Sequence, residues 1–246
     1  MALAPVLRAQ VPKYAAEGVA NSASWQVGYV APYTFASLFG ENLADVEKGR
    51  SAADANRAGI GSVDVLVNGS RAMVFYVSPR QVNFLVPTMW KPGNVKVQIT
   101  NRGVAGPEIT VNLREYAPAL FQLDPNLVVA QRWPEFVPAT PEAPARPEEI
   151  LILYATGLGG YSFPIDDYTP PRAPLQIAAR KDFRLLLDNV PVDDGNILYV
   201  GAVDNYWGLY QINLRLPGNV GDDPTVQIAI RDQMSLPGIR IPLRSR

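Results

Sequence analysis

The sequence predicts an all-β protein: two tandem immunoglobulin-like antiparallel β-sandwiches related by an internal repeat. Three observations predict it. Apolar residues recur with period two in many short segments. Turn formers punctuate those segments throughout, with 23 prolines and 19 glycines in 246 residues. One ordered set of segments also occurs twice.

The alternation is the local signal. Val63, Val65 and Val67 fall on one face, with Asp64 and Asn68 on the other. Val95, Val97 and Ile99 oppose Lys96, Gln98 and Thr100, and Ile109, Val111 and Leu113 oppose Thr110, Asn112 and Arg114. Near the C-terminus Ile239, Ile241 and Leu243 oppose Arg240, Pro242 and Arg244. Strands of this kind bury one face and wet the other. Asn68-Gly69 is a two-residue hairpin turn. Pro87 and Pro217 end their strands, because proline has no amide proton for the ladder. The best helical candidate, 43–58, has only Leu43, Val46 and Ala53 on its stripe, too sparse for an amphipathic face.

The repeat is the long-range signal. Gln81-Val82-Asn83-Phe84-Leu85-Val86-Pro87 is matched by Gln211-Ile212-Asn213-Leu214-Arg215-Leu216-Pro217. Upstream, 37–43 pairs with 152–158, Val65-Leu66-Val67-Asn68-Gly69 with Leu185-Leu186-Leu187-Asp188-Asn189, and Phe75-Tyr76-Val77 with Leu198-Tyr199-Val200. In chain order the offsets are 115, 120, 123 and 130 residues, as expected if the second copy carries longer loops. Each copy supplies about seven short strands, the count of an immunoglobulin-like sandwich. The expected organisation is an N-terminal extension over 1–18, a first sandwich over 19–117 and a second over 118–246. Residues 132–147 hold five prolines and read as an extended surface loop opening the second sandwich.

At these segments the chain resembles the Solibacter-type uncharacterised C-terminal domain found in secreted acidobacterial proteins. The resemblance is carried by Val19-Ala20-Asn21-Ser22-Ala23-Ser24-Trp25, Ala31-Pro32, Ser37-Leu38-Phe39-Gly40-Glu41-Asn42-Leu43-Ala44 and Val67-Asn68-Gly69. It continues through 75–87, Ala117-Pro118-Ala119-Leu120-Phe121, 153–159 and 208–213, and so covers about residues 19–246. Two positions depart from the pattern: Tyr33 and Glu148 stand where glycine is usual. The resemblance implies export and a two-sandwich module, and it implies no catalytic residues.

Composition narrows the function. The net charge is −1, from 22 basic and 23 acidic residues, and the 17 arginines are scattered. No field exists to gather nucleic acid or an anionic membrane. No apolar run approaches the roughly 20 residues of a membrane span. The opening MALAPVLRAQ is similar to the end of a signal peptide without its basic start, so a trimmed or mis-started export signal is expected.

Histidine and cysteine are both absent. That removes Ser-His-Asp chemistry, thiol nucleophiles and the usual zinc ligands. None of the five lysines sits in a Ser-x-x-Lys. Adjacent acids such as Asp166-Asp167 lie beside turns, where neighbours point apart. No enzyme activity and no cofactor are expected. Gly157-Leu158-Gly159-Gly160 lacks a following helix and reads as a tight turn rather than a phosphate loop. Asp193, Asp194, Asp222 and Asp223 offer carboxylates from turns, but without the Asp-x-Asp-x-Asp-Gly spacing of a calcium loop. They read as solvated turn acids and only weakly as calcium ligands. Gln81 with Asn83, and Gln211 with Asn213, read first as amides tying a neighbouring loop to each sandwich, with a polar binding stripe as the alternative.

The binding candidates are aromatics in loop-like stretches of the second copy: Trp133, Tyr161, Tyr168, Tyr206 and Trp207, with Phe136 and Phe163 beside them. Such rings stack on sugars or anchor protein interfaces, or else cap the ends of a sandwich. The expected function is a non-catalytic extracellular structural or interaction module: a cell-surface, adhesive or self-assembling subunit. Its partners would be proteins, or further copies joined through sheet edges or by residues 6–18 added as a strand. A carbohydrate-binding module using the loop aromatics is the alternative, and a hydrolase comes third.

Overall fold

The computed structural model describes residues 10–54, 57–88 and 91–245. No α-helix occurs among them, only four single 3₁₀ turns. The period-two segments pair as antiparallel strands. The first sandwich has one sheet in the order Val19–Asn21, Phe35–Phe39, Gln81–Leu85, Val74–Val77, Lys48–Gly49. Its second sheet runs Tyr29–Val30, Ile109–Leu113, Gly93–Asn101, Val63–Val67, Ser70–Ala72. Tyr29–Val30 lies parallel to the last strand, Ile109–Leu113. This is the strand order of an immunoglobulin sandwich. Its core is made by the faces the sequence alternation selects, among them Leu38, Val65, Val67, Val82, Phe84, Val97 and Ile99.

The second sandwich repeats the order. One sheet holds Val137–Pro138, Ala130–Arg132, Ile150–Thr156, Tyr206–Arg215 and Ile197–Val203; the other holds Val190–Pro191, Phe183–Leu187, Val226–Ile230 and Gln233–Met234. The register repeats as well. Leu38 faces Val82 as Leu153 faces Ile212, and Val77 faces Val82 as Val200 faces Ile212. Val65 faces Ile99 as Leu185 faces Ile228. The hairpin turns correspond too. Asn68 and Gly69 have φ of 46° and 81°, and Asp188 and Asn189 have 48° and 64°. Both turns thus take the doubly left-handed form that suits twisted strands.

Tyr33 and Glu148, the two departures from the resembled pattern, occupy one equivalent position, just before the Phe35–Phe39 and Ile150–Thr156 strands. Both are left-handed, with φ of 58° and 70°. Glycine takes this conformation freely, whereas an L side chain there costs roughly 1–2 kcal/mol. In Tyr33 that cost is offset by contacts described below.

Two expected segments have partners within their own sandwich. Of the proposed assembly strand 6–18, residues 6–9 lie outside the described residues, as does the signal-like segment 1–9, and the remainder is folded onto its own sandwich. Lys13 exchanges backbone hydrogen bonds with Glu41 at 2.9 and 2.8 Å. The Tyr14 hydroxyl accepts from the Ile99 amide at 2.6 Å, so the ring bridges the ends of both sheets. The second is 132–147, which lies mostly at the surface and is tied down at points along its length. Val137–Pro138 forms an edge strand, where proline is tolerated, and Ala145 is buried and bridges Leu243 in parallel.

Sheet edges are also closed by the chain itself. Lys48–Gly49 lies along Val74–Val77 in the first copy. In the second, residues 175–177 lie along Ile197–Val203, with Ile177 N to Val200 O at 3.1 Å and Ala202 N to Leu175 O at 2.8 Å. Covered edges present few free backbone groups for a neighbour to pair with.

The sandwiches meet end to end. Phe35 sits at their junction, bonded to Thr156, and its strand leads away to Glu41 and the paired Lys13. Thr156 ends its strand at the junction, so Ile150 lies about 20 Å away at the far end. Leu243 joins that far end through its bridge to Ala145. Residues 13 and 243 therefore mark opposite poles.

Candidate functional site

The densest constellation is the seam between the sandwiches. Its centre is polar and fully buried. The Thr156 hydroxyl donates to the Gly208 carbonyl at 2.7 Å and accepts from the Phe35 amide at 3.0 Å. The Asn21 amide donates to the Ala117 carbonyl at 3.2 Å. Aromatic rings surround these bonds. Tyr33, Tyr161 and Tyr210 follow one another with centroids 5.3 and 5.4 Å apart, and Phe35, Phe75 and Trp207 at 4.9 and 5.9 Å. Tyr33, Met73 and Leu85 of the first sandwich belong to the core cluster of the second. Burial pushes the hydroxyls of Tyr33, Tyr161 and Tyr210 well above their ordinary pKa, so the stack stays neutral.

Charged and polar struts ring the seam. The Tyr168 hydroxyl donates to the Arg71 carbonyl at 2.9 Å, and Asp167 accepts from the Thr88 amide at 3.1 Å. Arg231 grips Glu115 with both oxygens at 2.8 Å and Asp182 at 3.0 Å. The glycine run behaves as a tight turn. Gly157 and Gly159 have φ of 76° and 80°, and a Cβ on Gly157 would lie 2.0 Å from the Ala117 carbonyl oxygen.

The five aromatic candidates therefore do not form one site. Tyr161, at 6% exposure, and Trp207 belong to the seam, and Tyr168 is a strut across it. Tyr206 is 60% exposed at a hairpin turn. Trp133 is 48% exposed and packs edge-on against Phe136 at 5.1 Å, on a hairpin at the far pole. The long loops of the second copy are largely occupied in holding the first.

The acidic candidates are engaged by groups of their own sandwich. Asp193 accepts from the Gly195 amide at 2.8 Å, and Asp194 pairs with Arg180 at 2.8 Å. Asp222 accepts from the Ser245 amide and hydroxyl, both at 2.6 Å. Asp223 binds Arg244 and the Leu243 amide, and the Arg244 guanidinium lowers its pKa. No cluster of three or more metal-ligating side chains occurs among the described residues. The Gln-x-Asn amides bond to each other rather than to a neighbouring loop, at 2.8 Å in the first copy and 2.7 Å in the second.

A groove of about 520 Å³ lies on the first sandwich between Lys48, Asp54, Arg57, Ile60, Asp64 and Arg71. Its acids are matched by bases. Asp54 accepts from Lys48 at 2.8 Å and from the Ser51 hydroxyl at 2.9 Å, bonds that lower its pKa to about 2. Arg50 pins the same loop, donating to the carbonyls of Val74, Asp54, Arg57 and Ala58. Because the folded pKa is depressed from 3.8, the contribution of Asp54 is complete above about pH 4 and is lost as pH falls towards 2. The urea midpoint of the wild type should fall faster than that of Asp54→Asn between pH 4 and 2. Parallel curves would show that the carboxylate is not coupled to folding.

Several functional side chains escaped the sequence reading. Tyr33, Phe35 and Phe75 read as ordinary strand or turn residues, yet they build the first sandwich's half of the seam. The departure at Tyr33, a large ring where glycine is usual, was the available signal. Trp25 is 56% exposed with a left-handed φ of 60°. Its signal was an aromatic closing a run of small turn residues.

No protein-family model matches the chain, and no curated protein matches it. Solved structures do. SGBP-B of the Bacteroides ovatus mixed-linkage glucan utilization locus, in complex with a mixed-linkage heptasaccharide, is 11% identical with a TM-score of 0.37, covering 98% of this chain and 47% of that one. The surface glycan-binding protein PbSGBP-B from Prevotella bryantii is 10% identical with a TM-score of 0.28, covering 92% and 41%. Domains 5–6 of the S-layer protein SbsC are 9% identical with a TM-score of 0.27, covering 95% and 99%. The chain spans less than half the length of the two glycan-binding proteins. These are likenesses of fold alone, and strand order and register place the chain as a tandem pair of immunoglobulin-like sandwiches.

Proposed function

We propose that this chain is a non-catalytic structural and interaction module of the cell exterior, in which two sandwiches act as one stiff spacer with its poles far apart. The seam carries the reading. A swivelling pair would be joined by a polar linker and a wet interface. Here a buried threonine, six aromatic rings and a shared apolar cluster join the two ends. The resemblance to an exported family supports a place outside the cell. A carbohydrate-binding module built on the loop aromatics of the second sandwich is supported less, because the seam takes Tyr161, Trp207 and Tyr168. Assembly through residues 10–18 is likewise unsupported, since Tyr14 and Lys13 are already committed at home.

Calorimetry and small-angle scattering test the spacer. The purified chain should unfold in one transition and scatter as a single rigid elongated particle. Two separate transitions, or scattering that needs an ensemble of inter-sandwich angles, would refute it.

A further inference from the structure

The first sandwich carries an open, uncharged patch on the outer face of one sheet, and it is built rather than incidental. Trp25 is held out at its edge by a turn fixed from both sides. The buried Asn21 caps that turn through its side chain, accepting from the Ala23 amide at 2.9 Å and the Ser24 amide at 3.4 Å. The Trp25 amide donates to the Asn21 carbonyl at 2.8 Å, and the Asn21 amide to the Gln26 carbonyl at 2.8 Å. Beyond the turn the Tyr29 hydroxyl donates to Gln26 at 2.9 Å, with the Arg114 guanidinium 3.6 Å over the Tyr29 ring. An exposed tryptophan kept left-handed by this many bonds is strain retained where the fold could have relaxed it.

Trp25 is one end of a row. Its ring lies 6.0 Å from Phe39, itself 39% exposed. Phe39 faces Gln81 across the sheet, and Asn83, two residues on, is flanked by Ser37 and Tyr76. These side chains share the outer face, where Ser37 is fully buried and its hydroxyl is paired with that of Ser22 at 2.8 Å. Gln81 Nε2 donates to Asn83 Oδ1, which fixes both amide planes. Gln81 Oε1 remains as an acceptor and Asn83 Nδ2 as a donor, with no partners among the described residues.

In the second sandwich the equivalent row is engaged by its own chain. Tyr154 replaces Phe39 and donates to Gln131 at 2.6 Å, and the hydroxyl of Tyr199, in place of Tyr76, is bonded to the Leu175 and Ala202 backbone.

We infer that this face of the first sandwich binds an uncharged polysaccharide chain. Electrostatic matching decides the class. Trp25, Phe39, Tyr76, Gln81 and Asn83 carry no charge, so a phosphate or a uronate gains no ion pair from the row itself. A pyranose ring turns weakly positive C–H bonds to the negative face of an aromatic ring and presents neighbouring hydroxyls that donate and accept. The Gln81–Asn83 pair offers one acceptor and one donor in fixed planes beside that ring. The inference names the ligand of the interaction module proposed above, and rests on that reading only in taking the chain as non-catalytic.

The test is native gel electrophoresis of the full chain through hydroxyethylcellulose, xylan or galactomannan, with polygalacturonate as the charged counterpart. Retardation is expected in at least one neutral gel and not in polygalacturonate. Trp25→Ala, and separately the double variant Gln81→Ala with Asn83→Ala, should weaken it at least about tenfold. Trp25→Phe should keep most of it, and Val190→Ser, exposed on the other sandwich, should migrate as wild type. Thermal melts of each variant identify any that misfold, and the two amide positions carry the test if Trp25→Ala does. Absence of retardation in every neutral gel overturns the inference, as does retardation unchanged by both the Trp25 and the amide substitutions. Loss on Trp133→Ala but not on Trp25→Ala overturns it in favour of the second sandwich. A dimer in light scattering that Trp25→Ala dissolves overturns it in favour of a second copy. A single calorimetric transition without retardation leaves the spacer standing and removes only the glycan face.

Discussion

Replacing Gly157 by valine should uncouple the two sandwiches. At this position an added Cβ would lie 2.0 Å from the Ala117 oxygen and 2.7 Å from its carbonyl carbon. Those are backbone atoms and cannot swing aside. They also belong to the link between the domains, and the Ala117 amide in turn donates to the Gly157 carbonyl at 3.0 Å. The φ of 76° adds a second penalty, since a β-branched residue is an outlier there. Backbone strain of about 1–3 kcal/mol and overpacking of about 1–3 kcal/mol together place the loss near 4 kcal/mol. In a chain of this size that lowers the unfolding midpoint by roughly 10 °C. The more telling result is the shape of the transition. With the seam pried apart, the single calorimetric peak should split, with the first sandwich melting close to its own midpoint. A single peak within about 2 °C of wild type would mean that Ala117 can move without consequence and that the seam is not tight.

The second large effect is expected at Tyr210. The residue is fully buried, its ring lies 5.4 Å from Tyr161, and its hydroxyl donates to the Gly159 carbonyl. Tyr210→Ala leaves a cavity under the stack and should cost about 3–5 kcal/mol. Tyr210→Phe keeps the ring and strands only the Gly159 carbonyl, costing about 1–2 kcal/mol. The gap between these variants, read from urea midpoints, measures ring packing apart from the hydrogen bond. Tyr33 touches the other side of Tyr161, so Tyr33→Ala with Tyr210→Ala should cost less than the sum of the single changes. Strict additivity would show that the three rings do not act as a stack across the seam.

How much of this was legible depends on the range of each interaction. Val63, Val65 and Val67 announced their strand because period two is a property of the strand itself. Gln81–Leu85 and Gln211–Arg215 announced equivalent strands, and their partners share one register in both copies. The turn at Asn68-Gly69 was legible for the same local reason. Tyr161 and Trp133 were not distinguishable as sequence. Both are aromatics in turn-rich stretches, yet one is buried against Tyr33 and the other stands in solvent. Three of the four acids proposed for calcium looked open because their partners, Arg180 for Asp194, Arg244 for Asp223 and Ser245 for Asp222, are 14 to 23 residues away. Tyr14 read as part of a free N-terminal segment because the amide that holds it, Ile99, lies 85 residues on.

The sequence by itself determined the class of fold, the doubled strand pattern and the absence of histidine and cysteine chemistry. Hydrophobic alternation, turn conformations and composition are properties of neighbouring residues, and no folding is needed to read them. Only the tertiary structure decided which surfaces remain free. The seam took Tyr161, Tyr168 and Trp207 from the loops that looked like a binding site, and a turn capped by a buried asparagine left Trp25 exposed on the face that looked architectural. Exposure of a loop side chain depends on what packs over it, and here the covering surface is the first sandwich, about a hundred residues away along the chain.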